Sequence, residues 1–282
     1  MFDWYWACLF FLIAFIIIIN TYSIYVHRAL AHQLLTISPG LIYFFRVWLW
    51  LAGFWYPGGA LRKFSAGHRK HHAFSDSPTD PHSPYFFSAK QIVFTKAPSP
   101  GGPYYLTQEE INEWAGDVPV YTDWLEQKFQ QYNKYKFPVI LTLVLILFGF
   151  WGLVACMCGI VGIQLLLRSH NYLSHKIGYR NRLAKGTDRS RNMFPIGILY
   201  AGEELAANHH DHPSNPKNSE KWWEFDLGWT TILILRFFGK EIFFSNIEVS
   251  PPKTRVGGLL ESLERFGYFI KRFPTIPRPG AS

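Results

Sequence analysis

Cysteine is scarce in this chain, with three among 282 residues, at Cys8, Cys156 and Cys158. All three lie in uncharged apolar runs, so they read as small packing residues and give no disulfide framework or thiolate metal site. Charge is also sparse, at 17% of residues, and unevenly placed. No charged residue occurs from Trp4 to Val26, and none from Phe137 to Leu167. A basic n-region and a small-residue cleavage site are missing ahead of His27, which argues against a secretory signal. No haem, flavin or iron–sulfur motif is visible, so redox chemistry here would draw electrons from outside the chain.

What is present is apolar and aromatic: 49% and 18% of residues. At a rise of ~1.5 Å per residue the first uncharged run covers the ~30 Å hydrocarbon core of a bilayer. The reading is a spanning helix over about 4–26. The second run is too long for one crossing and carries Gly149-Phe150-Trp151-Gly152 near its middle. It reads as a helical hairpin with spans about 137–151 and 152–170. Leu41 to Tyr56 is shorter and contains Arg46, which suits an interfacial helix over about 39–57.

The formal charge of +8 raises the question of nucleic acid. However, Arg62, Lys63, Arg69, Lys70, Arg168, Lys176 and Arg180 stand beside the ends of the apolar runs. That is the positive-inside pattern, so these segments are expected in the cytoplasm and nucleic acid is rejected as a partner. Lys253, Arg255, Arg265, Lys271 and Arg272 form a basic tail suited to anionic lipid head groups, within which 259–273 reads as a surface amphipathic helix. Thr107 with Glu110 spells a capping box, and Trp229 to Phe238 reads as a helix too short to span. The expected fold is an all-α integral membrane protein, one domain over 1–282. It has about three transmembrane helices, an interfacial helix, and a cytoplasmic helical cap (58–136 and 171–275) holding a histidine-rich di-metal site.

Ten of the eleven histidines fall in four short clusters. His27 and His32 follow the first span directly. On an ideal α-helix this i, i+5 pair would sit about 140° apart, so alone it is a weak signal. His68, His71 and His72 share one helical face and are spaced as ligands. Asn171 and His175 are i, i+4 at the end of the hairpin, with His170 beside them. His209 and His210 make the last cluster, with His212 nearby. His82, His170 and His212 read as hydrogen-bonding, supporting or surface residues. Imidazole suits zinc, copper, iron and nickel, and this many nitrogen donors exceed what one four-coordinate ion uses. If 41–56 lies at the interface and the hairpin crosses and returns, every cluster meets on one side of the membrane.

The motifs resemble those of the membrane fatty-acid desaturase family, and most closely its bacterial Δ9 acyl-lipid or acyl-CoA members, relatives of the stearoyl-CoA desaturases. The resemblance rests on His27-Arg28-x3-His32, His68-x2-His71-His72 leading into Asp80-Pro81-His82, and Asn171-x3-His175-x2-Gly178-Tyr179-Arg180-Asn181. Gly202-Glu203-Glu204-Leu205, Asn208-His209-His210 and Trp222-x-Glu224-Phe225-Asp226-x-Gly228-Trp229 complete it. It implies two iron ions, with O2 as co-substrate. The implied ligands are His27, His32, His68, His71, His72, His175, His209 and His210, with Asn171 acting through water. It also implies a fatty-acyl substrate carried by CoA or phospholipid, and an electron donor such as a ferredoxin, flavodoxin or cytochrome. Localisation would be the bacterial inner membrane, with the site on the cytoplasmic side and the N-terminus outside.

Two features depart from the family pattern. The chain has one helix fewer before the first cluster than the animal enzymes. The last family motif reads H-x-x-H-H, and Ala206 stands at its first position. Water, Glu203, Glu204 or Asn208 would then fill the place of that ligand. Acyl-chain or alkane hydroxylation on the same scaffold stays open, as does a lipid-binding relative without turnover. Trp222, Trp223 and Trp229 are candidates for an acyl tunnel.

Overall fold

The computed structural model describes residues 4–53, 59–95, 98–239 and 242–245. The expected amphipathic helix over 259–273, the basic tail and the end of the interfacial segment lie outside the described residues.

α1 (Trp4–Thr21) carries no charge and leaves Trp6, Phe10 and Ile13 exposed. At its last turn the Asn20 amide donates to the Ile16 carbonyl at 2.8 Å, and the Thr21 hydroxyl to that of Ile17 at 2.7 Å. These side chains occupy backbone acceptors at the point where i→i−4 pairing ends. From there the chain winds on as a π-helix, Tyr22–Ala31, closed by the His32 N–H donating to the His27 carbonyl at 3.0 Å.

β1 (Leu35–Ile37) leads into α2 (Pro39–Leu51), which is capped by the Ser38 side chain. Arg46 of α2 is 1% exposed and pairs with Asp123 at 2.5 Å and Glu126 at 3.4 Å. α3 (Ala60–Phe74) carries the second histidine cluster, followed by the short α4 (Ala89–Phe94). α5 (Gln108–Ala115) opens on the expected capping box of Thr107 and Glu110 and packs against α3 through Ala66, Leu106 and Ala115.

α6 (Trp124–Leu173) begins at Trp124, well before the apolar run, because Asp123 caps it and its polar first turns bind Arg46. It breaks where the sequence suggests: Gly149 has φ 71° and ψ −169°, a conformation that essentially only glycine adopts. Two stretches, Tyr5–Ala31 and Trp124–Leu173, are long and apolar enough to cross a membrane.

Beyond α6 come β2 (Ile196–Gly197), α7 (Ala206–Asp211), β3 (Phe225–Asp226), α8 (Leu227–Gly239) and β4 (Ile242–Phe244). The fold is therefore helix-rich rather than all-α. β1 pairs antiparallel with β4, setting Leu35 against Phe244 and Ile37 against Ile242. β2 and β3 pair in parallel, Ile196 with Phe225. The main core joins the π-helix to α2, α6 and α8 through Ile24, Tyr25, Phe45, Leu49, Phe129 and Ile232. It holds the C-terminal end of the first apolar stretch in place, and His27 sits there.

Candidate metal centre

The π-helix resolves the weak pair. With i→i+5 bonding, residues five apart are one turn apart, so His27 and His32 face the same way with ring centroids 4.7 Å apart. Helix α3 contributes His68 and His72, and α7 contributes His209. The ligand atoms of these five imidazoles lie within 4.8 Å of one another. Their Nε2 atoms approach still closer. His32 and His68 are 2.7 Å apart, His27 and His68 2.9 Å, His32 and His209 3.0 Å, and His72 and His209 3.1 Å. Imidazoles bound at ~2.0–2.1 Å at right angles around one ion would place their nitrogens about 2.9 Å apart. Neutral imidazoles meeting nitrogen to nitrogen cannot all donate. A shared cation satisfies every one of them.

His71, His175 and His210 form a second, adjacent group within the same 4.8 Å limit. The His71 ring lies 5.8 Å from that of His72, and the His72 and His210 rings are 4.2 Å apart. Each member has a carboxylate behind it. His71 Nδ1 is 2.8 Å from Asp80, His175 Nδ1 2.7 Å from Asp76, and His210 Nδ1 3.1 Å from Asp188. In the first group, His27 Nδ1 is 2.7 Å from Glu203. A carboxylate at Nδ1 fixes the tautomer, turns the Nε2 lone pair to the other side, and raises its basicity.

Electrostatics follow from burial. Removal from water, with the neighbouring imidazoles adding to it, holds His32, His68, His72 and His209 well below the ordinary histidine range. They are neutral donors, as a metal requires. Burial also lowers His210, to about 4, against the pull of Asp188. For His71, burial is outweighed by Asp80 and the value rises. Burial opposes ionisation of the carboxylates, yet their imidazole partners hold Asp80, Asp188 and Asp76 below the usual range, and His27 with Arg28 brings Glu203 down to about 2.

Eight imidazoles in two buried groups at the end of an apolar helix are a distinctive arrangement, and a family model for fatty acid desaturases matches residues 3–226. The chain belongs to the fatty acid desaturase family. It is similar to the sn-1 stearoyl-lipid 9-desaturase of Synechocystis sp., 29% identical over 225 residues, which is 76% of this chain and 63% of that protein. Delta-9 acyl-lipid desaturase 1 of Arabidopsis thaliana is 29% identical over 221 residues, 76% of this chain and 67% of its own. The sn-1 stearoyl-lipid 9-desaturase of Anabaena variabilis is 29% identical over 218 residues, covering 76% and 74%. The chain thus spans as little as 60% of the length of the curated relatives it matches.

The other residues of this desaturase-family chain sort by what they touch. Asn171 lines the cavity beside the three-histidine group and donates to the Tyr104 hydroxyl at 3.2 Å. His170 donates to the Glu203 carbonyl at 2.7 Å, the supporting position expected of it. His82 is buried, stacked on His71 and Tyr104. His212 is a surface residue 3.5 Å from Glu220. None of the three tryptophans lines the cavity. Trp222 and Trp223 are exposed, and Trp229 stacks on Phe244.

Their motif instead builds the frame. Asp226 accepts two bonds from the buried Arg28, and Glu224 accepts from Tyr179, Asn181 and Asn208. The family motifs are thereby wired to one another, the Arg of the first cluster to the Asp of the last. Sequence reasoning missed the orienting roles of Asp76, Asp80 and Asp188. Their one signal was a pair of aspartates shortly after a histidine triplet and another directly before Arg189.

Glu203, Glu204 and Asn208 do not fill the place opposite Ala206. Glu203 serves His27 and accepts from the Ser23 hydroxyl at 2.5 Å. Glu204 accepts from the backbone N–H of Tyr200 at 2.8 Å and of Gly202 at 3.0 Å. Asn208 is bonded through both ends of its amide, to Asn192 at 2.9 Å and Glu224 at 2.8 Å.

Proposed function

We propose that this chain is a membrane fatty-acyl desaturase that uses O2 at two iron ions and takes electrons from an external donor such as a ferredoxin, flavodoxin or cytochrome. The observation that carries this reading is the pair of buried imidazole groups, one backed by Glu203 and the other by three aspartates, at the C-terminal end of an apolar helix. Unactivated methylene carbons offer neither an acidic proton nor an electrophile, so acid–base and nucleophilic devices do not reach them. Iron, when bound, supplies oxygen activation strong enough for such C–H bonds.

The chain's own residues do the rest. His27, His32, His68, His72 and His209 would hold one ion, and His71, His175 and His210 the other, with Asn171 acting through water. Asp76, Asp80, Asp188 and Glu203 keep the Nδ1 protons in place, so each imidazole presents the same lone pair throughout. The buried walls exclude bulk water from the reacting carbons. We place the site on the cytoplasmic side, following the basic residues around it. In this topology the first apolar stretch crosses once and α6 crosses and returns at Gly149. The relatives' names support an acyl-lipid ester and the 9 position. A CoA ester is the other carrier to test, since a 29%-identical relative from Anemone leveillei is an acyl-CoA 5-desaturase.

The test is turnover by the purified full chain, reloaded with ferrous iron and supplied with a reducing chain, O2 and either stearoyl lipid or stearoyl-CoA. A monounsaturated acyl product by mass spectrometry, with O2 uptake, is expected. A hydroxy-acyl product would move the reading to hydroxylation. Iron-loaded protein that binds acyl lipid and consumes no O2 would leave only a lipid-binding scaffold.

A further inference from the structure

Helices α3 and α7 present the same face to the centre, one with a complete set of donors and one without. In α3 the i, i+3, i+4 positions are His68, His71 and His72. The i, i+4 pair, His68 and His72, shares the five-imidazole group, and the middle residue, His71, turns to the other group. In α7 the same positions are Ala206, His209 and His210. Here the middle residue, His209, joins the five, and His210, the i+4 partner of Ala206, joins His71 and His175. Ala206 is 4% exposed and lines the cavity that both groups border, one turn before His210. A methyl therefore stands where the helix would otherwise bring a fourth donor.

Nothing nearby takes over. Glu203, Glu204 and Asn208 are each held by other partners, as described above. Of the two further imidazoles that line the cavity, His170 is held by the Glu203 carbonyl at 2.7 Å, and His82 stacks face to face on His71, centroids 4.3 Å apart with 27° between planes. The His82 ring runs alongside that of His71, and the ligand atom it offers groups with His71 and Asp80 rather than with His175 and His210.

We propose that the two metal positions of this chain are unequal: a tight one held by five imidazoles, and a weak one held by three, open at Ala206 to a small exogenous donor. The inference rests on the di-metal reading above. Its consequence is stepwise loading, with the second ion exchanging freely and responding to added imidazole.

The experiment uses the full chain in detergent, stripped of metal and titrated with Co(II), whose absorption reports coordination. Metal content after desalting gives the number of ions retained. One Co(II) per chain should survive desalting, and the second should bind at least ~10-fold more weakly. Free imidazole should tighten the second ion and shift its absorption. Ala206→His should retain both ions and abolish the imidazole response. Should that variant misfold, the titration of the unaltered chain, with and without imidazole, decides alone. Two equally tight ions in the unaltered chain overturn this inference and leave the di-metal reading standing. So does loss of the second ion in His82→Gln, because His82 would then be its fourth donor. Absence of any bound metal overturns both.

Discussion

A single carboxylate shows how much of the centre is decided one residue away from it. Asp80 sits behind His71, its other oxygen bonded to the His82 backbone N–H at 2.9 Å, so it can neither swing nor dissociate freely. Asp80→Asn keeps the shape and removes the charge that makes His71 a strong donor. The expected result is a loss of about 10–100-fold in metal affinity at the three-imidazole group, with the five-imidazole group unchanged, read by competition against a coloured chelator. The neutral imidazoles make a second prediction. His32, His68, His72 and His209 bind protons less readily folded than unfolded, mainly because they are buried. Their contribution to stability is full above the unfolded value of about 6.5 and is lost as pH falls below it. His71 has the opposite sign, but His210 is lowered as well, so it is one group against five. The melting temperature of the metal-free protein should therefore fall between pH 7 and pH 5, and a flat profile in thermal scans would refute this. The grouping of the imidazoles was legible because clustering is a property of the sequence. Their carboxylates were not, since Asp188 meets His210 only through folding.

At the level of elements, the spacing that looked weakest is explained by helix type. The His27–His32 interval misleads when an α-helix is assumed and fits one turn of a π-helix. The capping box at Thr107, the break at Gly149 and the short helix near Trp229 could be read directly, because each depends on neighbours in the chain. The small sheets could not, since strands of two or three residues are too short to show alternation. The early start of α6 was hidden for another reason: its polar first turns are explained by a partner, Arg46, far away in sequence. Gly149 gives the sharpest test. Gly149→Ala forces a side chain into a backbone conformation reserved for glycine, at a cost of about 1–3 kcal/mol. Gly152 allows no easy relief, because a Cβ there would meet Phe148. A melting temperature lowered by several degrees is expected, and an unchanged one would mean that the turn does not need its glycine.

For the whole molecule, the proposed topology makes a labelling prediction. Leu183 is 91% exposed and lies between Arg182 and Lys185, on the side assigned to the cytoplasm. Cys8 and Cys158 are also exposed on the chain, but on apolar helices that lipid would cover. In sealed vesicles with the cytoplasmic face outward, Leu183→Cys should react fully with an impermeant maleimide. Cys8 and Cys158 should stay unreacted until the bilayer is dissolved. Protection of the new cysteine would put the site on the other side. The carboxylates behind the imidazoles have one more consequence, this time in total charge. Arg28 lies between Glu203 and Asp226, and Arg180 between Asp188 and Asp211, so each trio keeps one net negative charge. Asp76 and Asp80 add one each, both beside imidazoles. Two dications would offset these four charges, whereas one would offset only two of them, in a medium that tolerates imbalance poorly. The frame would then select by the sum of the charges it encloses, and each further positive charge on the ions would call for an anion to accompany it.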